Sequence, residues 1–420
     1  MTTDASQNLW RFVRLDQYNR PSDTSRESMR KGISGLWLRL GWGSKAEESV
    51  FAEKCEKELS QVPQELVDKA APDPDWSASL PAVTAVIDGW LDAKVPGSSN
   101  QIFVGPPYHG TSEILTAWAQ ARGWRLVAAP SPEMILTGGQ EWLTQLEEDN
   151  EPLVLPNLEQ CFLRHYDGLT LLRRLLDHII SQGRRWLVVC DSWAWAYLSK
   201  ALKVDTVFPP PFILEAFDQE RLKRWFQQLA SAWGKDNFVF RQLDSGKYVL
   251  PPGTRDEVSG DWSQGADAGD SSFLKNVAAY SRGIPGVAWA VWRHSFGFVD
   301  TTAKDGEEKD QGVPASEVIN PTHPILVTPW SQLNLPGFPF KRISPGLLMV
   351  LHTLLIHGGL WSRILPELLP LSPIEILENL YLLEASGLLK SDQGFWRVTP
   401  AGYPAVRQVL QNEGYLTDAI

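Results

Sequence analysis

The spacing of apolar residues changes at about residue 100 of the chain. Before that point, Ala46 to Ala71 and Leu80 to Leu91 carry apolar residues at helical spacing, which predicts two helices. After it, short apolar runs alternate with amphipathic stretches. These patterns predict strands at 101–104, 125–129, 151–155 and 185–190, and helices at 112–122, 131–149 and 167–182. Repeated strand–helix units predict an α/β fold with a parallel sheet covered on both faces.

The C-terminal residues show a different order of elements. Their patterns predict helices at Gly346–Ile356, Leu360–Leu369 and Ser372–Ser386, a β-hairpin at 387–399 and a closing helix at Ala401–Asn412. Three helices followed by a hairpin are typical of a winged-helix domain. Between the two patterns, helices are predicted at 218–233, 271–282 and 285–296, together with an exposed loop at 253–271 and a polar linker at 301–317.

A glycine-containing loop, residues 105–112, lies between a predicted strand and a predicted helix. Phosphate-binding loops have the pattern G-x-x-x-x-G-K-[ST], in which backbone N–H groups and the lysine hold the phosphates and the hydroxyl binds Mg²⁺. Gly105, Gly110 and Ser112 match this pattern, but Thr111 stands in the lysine position. Loss of that cation removes a charge-assisted contact of about 1.5–3 kcal/mol. His109 either replaces part of the charge or fills the loop.

The second requirement of phosphoryl transfer is an acidic residue that holds Mg²⁺ at the end of another strand. After the predicted strand at 151–155, Pro156 and Asn157 occupy the expected acidic positions. Glu159 is the nearest carboxylate along the chain, and it is either the catalytic acid or a surface residue. Both charge-handling parts are therefore altered, which puts hydrolysis in doubt and leaves open whether the protein is an enzyme. ATP and Mg²⁺ are expected to bind weakly or not at all.

The order of these features resembles the STAND/AAA+ class of P-loop ATPases, over about residues 95–415. Gly283-Ile284-Pro285 is similar to the GxP motif in the helical lid of that class. The resemblance implies a degenerate P-loop NTPase-like core in which ATP and Mg²⁺ would bind between sheet and lid. By position, it assigns phosphate and metal contact to Gly105, Gly110 and Ser112, catalysis to Glu159, a place near sensor 1 to Ser192 and a place near the base to Pro285. His109 and Thr111 of the loop are further nucleotide-binding candidates. Arg282 is either a substitute phosphate-sensing cation or a solvated arginine at a helix end.

These features divide the chain into five predicted segments. They are an N-terminal helical region (1–75), the P-loop NTPase-like core (76–252), a loop and helical lid with the GxP motif (253–300), a linker (301–340) and a winged-helix domain (341–420).

Charge and composition limit the classes of function. The net charge of −11 argues against non-specific binding to nucleic acid or to anionic lipid. The three cysteines are scattered singly, and the N-terminus has no apolar leader, so we expect a cytoplasmic protein with reduced thiols. The third helix of the predicted winged helix carries three glutamates and no Lys or Arg, which favours protein contact over DNA binding.

The sequence therefore favours a cytoplasmic pseudo-ATPase that acts as a protein-interaction scaffold or regulatory subunit. Two alternatives stay open: an ATP-binding molecular switch with weak hydrolysis, and a winged-helix DNA-binding regulator. The sequence identifies neither the protein partner, the pathway nor the oligomeric state, and it assigns no role to residues 1–75.

Overall fold

The computed structural model describes residues 9–19, 21, 59–61, 63–92, 99–146, 151–181, 183–231, 238–250, 254–255, 262–263, 272–299, 325–339 and 343–420. The strands are β1 (Phe12–Arg14), β2 (Leu59–Gln61), β3 (Asn100–Gly105), β4 (Arg125–Leu126), β5 (Leu153–Leu155), β6 (Trp186–Asp191), β7 (Phe212–Leu214), β8 (Phe240–Gln242), β9 (Tyr248–Leu250), β10 (Thr254–Arg255), β11 (Trp262–Ser263), β12 (Phe296–Val299), β13 (Ile325–Val327), β14 (Leu360–Trp361), β15 (Leu389–Asp392) and β16 (Phe395–Val398). The α-helices are α1 (Gln64–Ala70), α2 (Leu80–Asp92), α3 (Thr111–Arg122), α4 (Pro132–Leu136), α5 (Gln140–Gln145), α6 (Thr170–Ser181), α7 (Ser192–Ala201), α8 (Val204–Val207), α9 (Gln219–Ser231), α10 (Ser272–Tyr280), α11 (Pro285–His294), α12 (Pro345–Ile356), α13 (Leu365–Leu368), α14 (Pro373–Ala385) and α15 (Tyr403–Asn412).

A six-stranded sheet in the order β1-β7-β3-β6-β5-β4 forms the centre of the α/β core. Strands β7, β3, β6, β5 and β4 run parallel, and β1 pairs antiparallel with β7 at one edge. All six residues of β3 are buried, as expected for a central strand covered on both faces. This topology confirms the predicted α/β fold class and its parallel sheet.

Two apolar clusters lie on opposite faces of the sheet. One contains α2, α3 and α11 side chains, and the other contains α6, α7 and the C-terminal helices. The largest fully buried side chains include five tryptophans: Trp118, Trp186, Trp193, Trp225 and Trp292. Packing therefore explains these five of the chain's many tryptophans.

Glycines end or interrupt several of the core helices. The predicted helix at 131–149 is wrong as a single element, because Gly138 and Gly139 both adopt positive φ and separate α4 from α5. Helix α3 begins after Gly110 and ends at Gly123, and both residues have left-handed backbone geometry.

A second sheet, of five strands in the order β2-β12-β13-β8-β9, was not predicted. The predicted helix from Ala46 to Ala71 is wrong over Leu59–Gln61, which pair with β12, and the helix there is α1 alone. Residues 46–58 and 301–317 lie outside the described residues. The predicted loop at 253–271 contains the paired strands β10 and β11, and its other residues also lie outside.

The C-terminal domain has winged-helix order: α12, β14, α13, α14, the hairpin β15–β16 and α15. The hairpin turns at Gln393 and Gly394, which both have positive φ, the geometry of a tight two-residue hairpin turn. The predicted helix Leu360–Leu369 is wrong at its start, because Leu360 and Trp361 pair with β16 and complete a three-stranded sheet. Helix α14 starts with a capping box between Ser372 and Glu375.

The predicted helices at 271–282 and 285–296 are confirmed as α10 and α11, separated by 281–284, and their role as a lid remains a prediction. Pro285 occupies the first turn of α11, where its missing N–H costs nothing. No helix in the described part of the chain is long and apolar enough to cross a membrane. The division into five segments remains a prediction.

Candidate functional site

The phosphate-loop candidate connects β3 to α3, as the motif predicted. Gly110 precedes the first residue of α3 and has φ of 78°, a value that favours glycine. A Cβ on Gly110 would lie 2.5 Å from the ring of Trp76, so this indole packs directly over the loop. The strand, loop and helix geometry that binds anions is thus present, but an aromatic ring covers its glycine.

Side chains of the loop itself fill its interior. A Cβ on Gly105 would lie 2.6 Å from Thr111 Oγ1 and 2.8 Å from His109 Nδ1. These two side-chain atoms are 3.2 Å apart, and both residues are buried. Thr111 and His109 therefore occupy space beside Gly105, where the backbone of a phosphate loop needs open access to its ligand.

His109 is buried in the loop. It is 1% exposed, and this burial lowers its pKa to about 3, against a smaller opposing effect from the backbone of Leu214. The imidazole is neutral at physiological pH. Its position matches the alternative, that the ring fills the loop, and the hypothesis that His109 replaces the lysine stays a prediction.

Ser112 uses its hydroxyl to join the loop to the end of β5. The hydroxyl is 2.8 Å from Asn157 Oδ1 and 3.0 Å from the Pro156 carbonyl oxygen, and both contacts have hydrogen-bond geometry. In a working ATPase this hydroxyl binds Mg²⁺, and an acid at the strand end helps to hold the ion. Here a neutral amide stands in that place. The residues present do not fit Mg²⁺.

Glu159 lies at the bottom of the same site. Its side chain is 8% exposed, and its Oε2 accepts a hydrogen bond of 3.0 Å from the backbone N–H of Asp191. Burial raises the pKa of Glu159 to about 7. The pKa of Asp191 is also raised well above its usual range, by burial and by the charge of Glu159. Within the described ranges, no group of three or more His, Cys, Asp or Glu residues is arranged to hold a metal ion.

The winged-helix domain closes over these residues. Together with the core it lines a cavity of about 240 Å³ that is partly open to solvent. The winged helix contributes Leu354 and Leu355 of α12, Gly358, and Arg397 and Val398 of β16. The Tyr108 hydroxyl donates a hydrogen bond to the Val398 backbone oxygen. The sequence motifs did not predict that the winged helix lies against the loop, because this arrangement depends on contacts between residues almost three hundred positions apart.

Arg397 is the arginine that lines this cavity, and the sequence reasoning gave it no role at the loop. Its Nε atom is buried, with no hydrogen-bond partner among the described residues. The guanidinium is also close enough to Tyr108 to oppose the effect of burial on the pKa of that phenol. Arg397 therefore brings positive charge to the loop from the hairpin.

A C-terminal clasp, formed by Ser192, Arg407 and Asp418, joins the two domains outside the cavity. The Ser192 hydroxyl donates to Asp418 Oδ2 at 2.5 Å, and Arg407 Nη2 lies 2.9 Å from Asp418 Oδ1. The side chains of Arg407 and Asp418 are 6% and 1% exposed. Arg282 Nη2 donates to the Ile420 backbone oxygen at 2.7 Å and does not line the cavity. Its suggested phosphate-sensing role is therefore not supported by its position.

Most of the residues predicted for the site do lie together. Gly105, His109, Gly110, Thr111, Ser112 and Glu159 all line the cavity. Pro285 does not line it, but the next residue touches the loop, since the Gly286 N–H donates to the Tyr108 carbonyl at 3.0 Å. The nucleotide, metal and catalytic roles assigned to these residues remain predictions.

These features define an α/β protein with a mostly parallel six-stranded sheet and a C-terminal domain in winged-helix order. No protein-family model matches the chain, and no curated protein matches it. Among solved structures it is similar to the ORC2 protein of Aeropyrum pernix, described as ADPNP–ADP complexes. That similarity has a TM-score of 0.32 and 13% identity, covering 83% of this chain and 85% of the other. Because likeness at this level carries no argument, the class rests on the topology described above.

Proposed function

We propose that this protein is a STAND/AAA+-like pseudo-ATPase, whose core serves as a scaffold for contact with other proteins rather than as a nucleotide-driven machine. The observation that carries the proposal is the pairing of the Ser112 hydroxyl with Asn157 and Pro156. It removes the hydroxyl from metal binding and places a neutral side chain where phosphoryl transfer requires an acid.

The remaining charges at the loop support this proposal. With Thr111 in place of lysine and His109 neutral, the loop segment itself contributes no side-chain cation. Glu159 holds its proton to about pH 7, so at neutral pH much of the population presents no carboxylate to a metal. Loss of one charge-assisted contact weakens binding by about 1.5–3 kcal/mol, or roughly 10- to 150-fold in Kd.

The space at the site supports it as well. Pockets for drug-sized ligands span about 300–1,000 Å³, whereas this cavity measures about 240 Å³. Movement of the winged helix away from the core would give ATP more room. That movement would break the Tyr108–Val398 hydrogen bond and separate a continuous apolar cluster that includes Leu155 and Trp193 of the core and Leu351 and Val406 of the winged helix.

A second candidate function, an ATP-binding switch, is favoured by Arg397. Its guanidinium lines the cavity and its Nε has no hydrogen-bond partner among the described residues, so an anion there would find a donor. In this alternative the wing arginine takes the part of the missing lysine, and ATP binding would couple directly to the position of the winged helix.

Calorimetric titration of the full chain with ATP and Mg²⁺ separates the two candidates. The pseudo-ATPase proposal expects no binding heat at millimolar ATP from the wild type. An Arg397→Gln variant and a matched Lys390→Gln variant are titrated beside it, because both residues lie on the same hairpin and face each other in register. Micromolar binding that Arg397→Gln weakens at least about tenfold, and that Lys390→Gln leaves unchanged, would establish the switch instead.

Localisation in the cytoplasm belongs to this proposal as well. It is supported by Cys161 and Cys190, which are buried free thiols in the described residues.

A further inference from the structure

Helix α14 carries large apolar side chains on its exposed side as well as on its buried side. Its inner face buries Ile376, Leu380 and Leu383 in the core of the winged helix. Its outer face leaves four large apolar side chains exposed. These form the α14 apolar stripe: Ile374 (70% exposed), Leu377 (42%), Tyr381 (60%) and Leu382 (44%). In the described ranges, seven large apolar side chains are exposed, and four of them lie on this one helix.

The spacing of the stripe makes it a continuous surface. Residues three, four and seven positions apart on a helix share one side, so Ile374, Leu377 and Tyr381 line up along about two turns, or roughly 10 Å. The Tyr381 ring meets the buried Trp396 ring at 5.7 Å in an edge arrangement, which supports it from below. A clustered exposed apolar surface of this kind marks an interaction site more often than single exposed residues do.

Negative charge borders the stripe. Glu375, Glu378 and Glu384 are exposed on the same helix, which contains no Lys or Arg. Hydrogen bonds from Ser372 lower the pKa of Glu375, so this carboxylate is ionised at neutral pH. The surface therefore repels phosphate backbones. It also disfavours a symmetric dimer through this face, which would bring the same glutamates together across a twofold axis.

We propose that the α14 apolar stripe is a docking site for a basic amphipathic helix of a partner protein. The partner's apolar residues would cover Ile374, Leu377, Tyr381 and Leu382, and its Lys or Arg side chains would meet the three glutamates. Two helices that each carry apolar residues at helical spacing can pack these residues against one another, and the exposed positions on α14 have this spacing. The inference rests on the proposed function as a protein-contact scaffold and names the chemistry of the contact.

The test uses the full chain and two fluorescent peptides of equal length. Both peptides carry the same leucine stripe at helical spacing, and their remaining positions are either all lysine or all glutamate. Fluorescence anisotropy is expected to show saturable binding of the lysine peptide, with the glutamate peptide at least about tenfold weaker. The double variant Ile374→Ser/Leu377→Ser is expected to weaken binding of the lysine peptide at least about tenfold. Both replaced side chains are exposed, so the fold should be retained.

A matched control distinguishes this surface from general stickiness. Tyr166→Ser/Ile180→Ser removes two exposed apolar side chains elsewhere, and it should leave binding of the lysine peptide unchanged. Glu378→Gln should weaken binding and reduce its dependence on salt. Equal binding of both peptides, or equal loss in the control, would overturn the proposal.

Other occupants of the stripe would give different results. Concentration-dependent dimers that disappear in Ile374→Ser/Leu377→Ser would show that a second copy covers the stripe, contrary to the proposal. Deletion of residues 22–58, which include a basic and apolar stretch at 26–45, would raise peptide affinity if the chain itself covered the stripe, and this too would overturn it. The peptide result does not depend on nucleotide. Tight ATP binding would therefore refute the pseudo-ATPase proposal while leaving the docking surface standing.

Discussion

Replacing Glu159 by glutamine tests whether this carboxyl group is a buried neutral contact or an ionised functional acid. Gln has the same shape as protonated Glu, and its Oε1 can still accept the hydrogen bond from the Asp191 N–H. We expect Glu159→Gln to stabilise the protein above pH 7 and to change its stability little at acid pH. A carboxyl group whose ionised form is stabilised in the folded protein predicts no such gain.

The magnitude follows from the shift in pKa. Burial raises the pKa of Glu159 from its ordinary 4.5 to about 7. At 1.36 kcal/mol per pH unit, the shift corresponds to about 3 kcal/mol. The native state binds this proton more tightly than the unfolded state does, so the contribution is fully present below pH 4.5 and is lost as pH rises to about 7. Relative to wild type, Glu159→Gln should therefore gain about 3 kcal/mol at pH 8 and about 1 kcal/mol or less at pH 5.

The neighbouring acid acts in the same direction. The charge of Glu159 contributes to the raised pKa of Asp191. Removing it lets Asp191 ionise more easily, which adds to the gain at high pH.

Urea unfolding at pH 5 and pH 8, followed by circular dichroism and by tryptophan fluorescence, measures the effect. Glu141→Gln is the matched control, because Glu141 is exposed and should give a small change that is similar at both pH values. A Glu159→Gln variant that is no more stable than wild type at pH 8 would refute the reasoning. So would a gain of equal size at pH 5 and pH 8.

Two further predictions concern contacts that close the site. Arg407→Ala leaves Asp418 buried without its ion pair, so it should lower the free energy of unfolding by about 3–5 kcal/mol in the same urea assay. Arg363→Ala is the control: it removes a largely exposed pair with Glu133 and should lower the free energy of unfolding by about 0–1 kcal/mol. Gly110→Ala places a side chain at a positive φ and against Trp76, whereas Gly183→Ala places one at a positive φ in open space. The thermal midpoint of the Gly110→Ala variant should therefore fall well below that of the Gly183→Ala variant. Equal midpoints would show that Trp76 does not cover the loop.

The core elements were predictable because local patterns determine them. The run Trp186–Asp191 is long, apolar and bounded by turn residues, and the glycine loop follows β3 directly. Strand β1 and the second sheet escaped prediction for a physical reason. Phe12–Arg14 and the five strands of the second sheet are only three or four residues long, too short to show an alternation. Several of their partners also lie far away along the chain.

The sequence predicted where the candidate site lies, but not which side chains fill it or approach it. The motif located Gly105, Gly110 and Ser112, and it showed that the lysine is missing. Whether His109 faces a ligand or fills the loop depends on how deeply its ring is buried. The spacing of residues along the sequence does not show this. The cover formed by Trp76 and the approach of Arg397 are tertiary contacts between separate segments. The sequence therefore left the role of His109 open, and the structure adds that its ring is buried beside Gly105.

A separate set of contacts packs the winged helix against the core. An ATP-driven switch needs two positions of that domain with similar free energy. Here the closed position buries the Arg407–Asp418 pair, which would lose its low-dielectric contacts on opening, together with the apolar cluster shared by both domains. Opening would expose this cluster, at a cost in free energy of roughly 25 cal/mol for each Å² of apolar surface. The loop has no lysine that could offset this cost by binding a nucleotide. A winged helix that stays packed against the core keeps the outer face of α14 in one orientation relative to the core. A docking surface for a partner protein requires such a fixed orientation.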